Sequence, residues 1–251
     1  METLKPLRSV SILNRKKNDP SNYIFTGNSS TKNINIQLFT YNEEECVENK
    51  IMLLDSIPTF EKNKKNYWLN IHGLNNPENI ASICEQQGIH NLVIQDILDV
   101  NQRPKFQEFE HFSFLTLKSI VPSEKNIITE QISFVFGTNF LLSFQERKAD
   151  FFEHLRYRLR ESKGKLRERG ADYLLYAMLE STLDNYFKTI NKLDEEVEKL
   201  NFSDTTKEPS PNALAIIEGH KKFVHYIKKS ILPIKEFTQI VERGDCNYIE
   251  Q

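Results

Sequence analysis

The sequence predicts a mixed α+β or α/β fold, a mixed β-sheet flanked by helices and followed by a long antiparallel helical hairpin. Three observations carry this. Apolar residues alternate in short segments up to about residue 148, a capped helix signature interrupts those segments near residue 80, and the apolar period changes to about three and a half beyond residue 149. Residues 1–148 are therefore expected to form a mixed α/β domain and residues 149–251 a helical hairpin.

In chain order, the first expected strand runs from Asn33 to Thr40 and places Ile34, Ile36 and Leu38 on one face. A second, Asn66 to His72, gathers Tyr67, Trp68, Leu69 and Ile71. Asn76 then offers a side-chain oxygen as N-cap, Pro77 suits the first helical position, and Ile80, Ile83 and Cys84 share one side. Gly88 is the stop. From Leu92 to Leu98 the apolar residues Val93, Ile94, Ile97 and Leu98 fit a short helix that leaves Gln95, Asp96 and Asp99 outward. Three more strands follow, Phe112–Ile120, Ile127–Phe136 and Asn139–Gln145, the last two joined by a tight turn at Gly137 and Thr138.

Beyond residue 149, Leu179, Leu183, Tyr186, Ile190, Leu193, Val197 and Leu200 recur at steps of four and three, the seam of a long helix. The polar stretch Ser203–Asn212, with Pro209 and Pro211, ends it. A second seam through Ile217, Val224, Ile227, Ile231, Ile234 and Val241 completes the hairpin, with Pro233 expected to kink it. The chain ends at Gln251 without a clear cap beyond Gly244, which fits a boundary inside a longer protein as well as a terminus.

Composition narrows the function. The chain has 251 residues, 39% of them hydrophobic, including 17 Phe and 9 Tyr, enough for a core. No apolar run reaches the roughly 20 residues of a spanning helix, and the first 20 residues lack the apolar core of a secretory signal. A cytosolic setting is expected, with Cys46, Cys84 and Cys246 reduced, since they lie far apart without CxxC spacing. The net charge of −2 gives no general attraction for nucleic acid. Six histidines without HxxxH or HExxH spacing, and eight glycines without a phosphate-cradling loop, leave no visible catalytic machinery, so no enzyme is expected.

Three features bear charge in patterns that could matter. Asp96 stands on the polar side of its short helix, where spacing alone favours a solvated helix face. Glu180 and Asp184 are one helical turn apart, so their carboxylates repel and would gain from a hard divalent cation, Mg2+ taking one or two carboxylates and keeping its waters. Here too a solvated acidic face fits, because Asp194, Glu195, Glu196 and Glu198 follow. Between Arg156 and Arg169 seven basic residues face only Glu161 and Glu168; with Phe151, Leu155 and Leu159 inward, they fit an exposed helix face or counter-charge for acidic neighbours.

The ordered motifs add a resemblance. Trp68, then Gly88, His90, Leu92, Asp96-Ile97-Leu98 and Asn101-Gln102-Arg103-Pro104-Lys105 stand in sequence, followed by Glu130-Gln131-Ile132-Ser133 and Asn139 to Glu146. Gly164 to Arg169, Ala171-Asp172-Tyr173-Leu174-Leu175-Tyr176 and Asp184-Asn185-Tyr186-Phe187 continue the series, and Leu232-Pro233-Ile234-Lys235-Glu236 resembles a later WPLRE-like run. Together, from about residue 66 to 190, they resemble the CorA-type magnesium/cobalt transporters. The resemblance implies a cytoplasmic regulatory domain on the inner face of the bacterial plasma membrane, its hairpin leading into a stalk helix and its pore-forming membrane helices lying further on. It implies a homopentamer that senses Mg2+ between subunits, with Asp96, Glu180 and Asp184 as metal-binding positions and Co2+ as a further ion. Gln95 stands where that family commonly has Glu, which removes one charge from a second ion position, and Asn91 stands where Pro follows the His. A zinc transporter of the same superfamily and a helical scaffold protein are the rival readings.

Overall fold

The computed structural model describes residues 23–27, 34–51, 54, 57–60, 65–122, 127–147, 151–198 and 211–249. The first 20 residues, Asn33, Leu200, Ser203 to Ser210 and Gln251, on which some of the expectations fall, lie outside the described residues.

Seven strands form one sheet: β1 (Asn35–Tyr41), β2 (Cys46–Ile51), β3 (Asn66–His72), β4 (Lys105–Glu108), β5 (Ser113–Pro122), β6 (Ile127–Phe136) and β7 (Phe140–Gln145). Their order is β2-β1-β3-β7-β6-β5-β4. Only β3 and β7 pair in parallel, with Leu69 opposite Leu142; every other pair is antiparallel. The sheet is thus mixed, as expected, and its antiparallel β5-β6-β7 portion is the run of three strands read from the sequence.

Helices cover both faces. On one side lie α1 (Pro77–Gln86) and α2 (Asn91–Leu98), whose Ile80, Ile83, Val93, Ile94, Ile97 and Leu98 pack on Leu69, Ile71, Phe114, Val135 and Phe144. On the other lie α3 (Glu153–Arg160), α4 (Ala171–Glu198) and α5 (Pro211–Glu242), over Leu115, Leu117, Ile132, Phe134 and Leu141. Strand β3 is the middle of this stack. Its residues from Tyr67 to His72 are all buried, as a strand covered on both faces requires.

Local signals act as the sequence implies. The Asn76 side chain accepts from the Asn79 amide at 3.2 Å and caps α1. At its end Gly88 takes φ +72°, letting the Gly88 and Ile89 amides bond back to the Glu85 and Cys84 carbonyls. Trp68, fully buried, stacks on Phe39 with ring centroids 4.9 Å apart and donates from Nε1 to Ser143 Oγ at 2.9 Å. Ser143 in turn donates to Asn70 Oδ1, and Asn70 donates to Gln37 Oε1, so this buried polar string is satisfied end to end.

The helical part departs from the expected seams. Helices α4 and α5 run antiparallel, with Tyr186 beside Ser230 and Glu196 beside His220, but both also pack on the sheet. The face of α4 turned to the core carries Leu174, Leu175, Met178, Thr182, Tyr186, Thr189 and Leu193, while the seam positions Ile190 and Val197 are exposed. On α5 the inward positions are His220, Phe223, Ile227, Ser230, Ile234 and Phe237; Val224, expected inside, is 54% exposed. Ile227 and Ile234 are inward as expected, and the departure at Val224 follows from a partner that is partly a sheet, which takes the large Phe223 and Phe237 rings, rather than a single facing helix. Helix α5 continues through Pro233. The basic run is also not one helix: α3 stops at Arg160 and turns occupy most of residues 161–169. Nor is it all an exposed face, since Arg156 is only 3% exposed and bonds Glu153, Arg160 bonds Glu48 and Glu153, and Arg167 donates to the Leu159 and Arg160 carbonyls.

Candidate metal centre

Helix α2 is eight residues long, too short to be stable alone; its start is held by its own N-cap and its end by groups from elsewhere in the chain. His90 caps its start, Nδ1 accepting from the Leu92 amide at 3.2 Å. At its C-terminus four carbonyls lack helical partners, and residues of the ordered motifs converge on them. Gln102 Nε2 donates to the Asp96 carbonyl, Gln131 Nε2 donates to the same oxygen at 3.1 Å and to the Ile97 carbonyl at 3.5 Å, and the Thr26 amide donates to the Leu98 carbonyl at 3.1 Å. The Asp99 carboxylate accepts from Thr26 Oγ1 and from the Asn101 amide.

Beneath this end, on the same face of the sheet, Lys118 donates from Nζ to the Val100 carbonyl and, at 2.9 Å, to Gln131 Oε1. Glu146 accepts from the Gln131 amide at 3.1 Å. Burial lowers the Lys118 ammonium to about 8, against the pull of Glu146 and Asp99 in the other direction. The motif residues Gln102, Lys105, Gln131 and Glu146, with Lys118 of β5, therefore build a socket that fixes where α2, and with it Asp96, sits. The motif order alone gives these side chains no role; the side-chain amides of Asn101, Gln102 and Gln131 beside apolar strands are the signal in the sequence that points to one.

Asp96 itself is half-buried and not simply outward, as the periodicity had it. Its Oδ2 is ion-paired with Lys105 Nζ, the lysine that closes the Asn101–Lys105 motif and opens β4. Any cation approaching Asp96 competes with that ammonium.

Glu180 and Asp184 lie elsewhere. Both are exposed on α4, on the opposite face of the sheet from α2. Beside Asp184 stands His154, whose Nε2 is 2.7 Å from Ser181 Oγ; burial, then Arg158 and Arg156, push its pKa down, and Asp184 opposes them. The exposed Tyr176 and Phe187, the latter 63% exposed, flank the two carboxylates on the same helix. Two exposed carboxylates one turn apart suit a hydrated hard cation. Within one chain, however, the three residues do not meet, and among the described residues no cluster of three or more His, Cys, Asp or Glu could hold a metal.

Comparison with known proteins agrees with the motif order. Residues 63–251 match the family described as CorA-like Mg2+ transporter protein. The cobalt/magnesium transport protein CorA of Thermotoga maritima is 32% identical over 235 residues, 92% of this chain and 66% of that protein. Its counterpart from Methanocaldococcus jannaschii is 23% identical over 167 residues, 66% of this chain and 52% of that protein, so the chain spans only part of its relatives. Among solved structures, the soluble domain of the Methanocaldococcus jannaschii CorA superposes with TM-score 0.67 at 22% identity, covering 85% of this chain and 82% of that one. The ZntB cytoplasmic domain from Vibrio parahaemolyticus gives 0.64 at 15% identity, over 85% and 82%. Those two likenesses speak to the fold, and among the described residues no helix is long and apolar enough to cross a membrane. With the family match covering most of the chain and the motif residues gathered around one short helix, this protein belongs to the CorA-like Mg2+ transporter family.

Proposed function

We propose that this chain is the cytoplasmic, Mg2+-responsive part of a divalent-cation transporter for Mg2+ and Co2+, and that it works between copies of itself in a homopentamer joined to the membrane by segments outside this sequence. The observation that carries this is the separation of the three carboxylates: Asp96 is fixed on α2, Glu180 and Asp184 on α4, with the sheet between them. One copy cannot bring them together, whereas adjacent copies can present α2 of one to α4 of the next.

In this reading Glu180 and Asp184 hold a hydrated Mg2+, and Asp96 of the adjoining copy completes the arrangement when Lys105 yields. The ion supplies neutralisation of carboxylates that otherwise repel. Without it Asp96 returns to Lys105, the acidic faces push apart, and neighbouring copies gain freedom to move. Binding and closure are then thermodynamically linked.

Limited proteolysis tests this. Mg2+ should protect the wild-type chain from cleavage, and Asp96→Ala should lose that protection while keeping its circular-dichroism spectrum. Equal protection of a folded Asp96→Ala variant would sink the assignment.

A further inference from the structure

Behind the socket that holds α2, on the other face of the same strands, three polar side chains are buried together. Ser119 on β5 and Glu130 on β6 are cross-strand partners, and Gln145 on β7 is paired with Ile132, two residues along from Glu130 on the same face. They are 1%, 3% and 0% exposed. Glu130 Oε1 accepts from the Arg147 amide at 2.8 Å. Its Oε2 has no hydrogen-bond partner, nor do Ser119 Oγ, Gln145 Oε1 or Gln145 Nε2. Four unmatched polar atoms in one place are more than a native core tolerates without a missing component.

That component can be a proton. An ionised Glu130 offers only acceptors, and neither the Ser119 hydroxyl nor the Gln145 amide nitrogen is turned to its second oxygen, which is then a buried charge; a protonated Glu130 gains an O–H that can donate toward Gln145 Oε1 or Ser119 Oγ. The charged and titratable groups around it are Glu146 and Arg147 at the end of β7, Lys118 on β5, Tyr186 on α4, Tyr226 on α5 and, on β3, His72, the cross-strand partner of Gln145, whose ring is held between the Arg147 carbonyl and the Asn70 side chain. Lys118 points to the other face, toward Gln131 and Val100, and Arg147 serves Glu130 through its backbone amide. Tyr186 donates its hydroxyl to the Lys118 carbonyl, while Tyr226 bonds Thr129, the residue before Glu130. The helical layer is therefore pinned to the sheet beside the carboxyl.

We propose that Glu130, with Ser119 and Gln145 beside it, is a buried proton-binding site whose occupancy governs how firmly α5 is seated on the sheet. Burial first, and Glu146 after it, raise the Glu130 carboxyl to about 7, within reach of ordinary changes of pH. When the proton leaves, the charge is relieved by admitting water beside the neighbouring residue Thr129, through which Tyr226 ties α5 to β6. The site does not depend on the metal carboxylates: Glu130 touches none of them.

The test is a carboxyl-carbon NMR titration of the whole chain together with hydrogen exchange of the α5 amides, corrected for intrinsic rates. Glu130 should titrate with a midpoint near 7, and α5 protection should be about tenfold greater at about pH 6 than at about pH 8, the linkage expected if the opened state restores an ordinary carboxyl. Glu130→Gln should make protection equal at both pH values. A Glu130 midpoint in the ordinary carboxylate range, or a pH difference that survives in Glu130→Gln, would overturn the proposal. Should that variant fail to fold, the wild-type titration decides alone.

Discussion

Gln131 Nε2 lies 3.1 Å from the carbonyl oxygen of Asp96, so a side chain on the central part of the sheet terminates the helix that carries the candidate sensor carboxylate. The same amide reaches the Ile97 carbonyl, and its oxygen accepts from Lys118. Replacing Gln131 by Ala leaves these groups underbonded in a place water cannot easily fill. A loss of about 1–3 kcal/mol is expected, the cost of buried polar groups left without partners, measured as urea unfolding followed by the fluorescence of Trp68, the single tryptophan.

Lys105→Met acts differently. The Lys105–Asp96 pair is partly exposed, so its removal should change stability by less than about 1 kcal/mol. Its larger effect should be on ions, because Asp96 loses its resident counter-charge. Calorimetric titration with Mg2+ at fixed ionic strength should show tighter binding in Lys105→Met than in wild type; weaker binding would mean that Lys105 supports the ion rather than competing with it.

Lys118 should give a pH signature at the alkaline side. Its pKa is about 8 in the folded chain against an ordinary 10.5. Between these values the unfolded chain keeps a proton that the folded chain has released, so this group's contribution to stability rises with pH across that window. Below about 8 both states are protonated and the burial penalty is complete. The stability of wild type relative to Lys118→Met should therefore increase from pH 8 to pH 10, read from urea midpoints at each pH.

Trp68→Ala should be among the most damaging single changes, since it empties a fully buried site and frees Ser143 Oγ of its donor. A loss of about 3–5 kcal/mol is expected for a large aromatic removed from a core, enough to leave much of a marginally stable chain unfolded, as near-ultraviolet circular dichroism would report.

Five strands and the helices α1, α2, α4 and α5 were legible because each carries its own pattern: alternation in β1 and β3, the Asn76–Pro77 start and Gly88 stop around α1, and the period of about three and a half in α4 and α5. Strands β2 and β4 were not read as strands. Both are sheet edges, and sequences such as Cys-Val-Glu-Asn-Lys-Ile and Lys-Phe-Gln-Glu need little apolar alternation when one flank meets solvent. The parallel pairing of β3 with β7 joins residues some 70 positions apart, for instance Trp68 and Leu141, and no local pattern encodes it. In the site, Asp96, Glu180 and Asp184 were nameable from motif order, but Lys105's ion pair and the Gln102 and Gln131 bonds depend on how the chain folds back over α2. The inward face of α5 was read correctly at Ile227 and Ile234 but not at Val224, because a heptad seam assumes a helical partner, and Phe223 and Phe237 answer to the sheet as well.

Sedimentation velocity of the 251-residue chain, with and without millimolar Mg2+ and with EDTA as control, tests the central claim most directly. The account predicts a Mg2+-driven shift to a larger species that is lost in Asp96→Ala and in the Glu180→Gln, Asp184→Asn double variant. A sedimentation coefficient indifferent to Mg2+, or a shift that persists unchanged when those carboxylates are removed, would contradict ion sharing between copies through Asp96, Glu180 and Asp184.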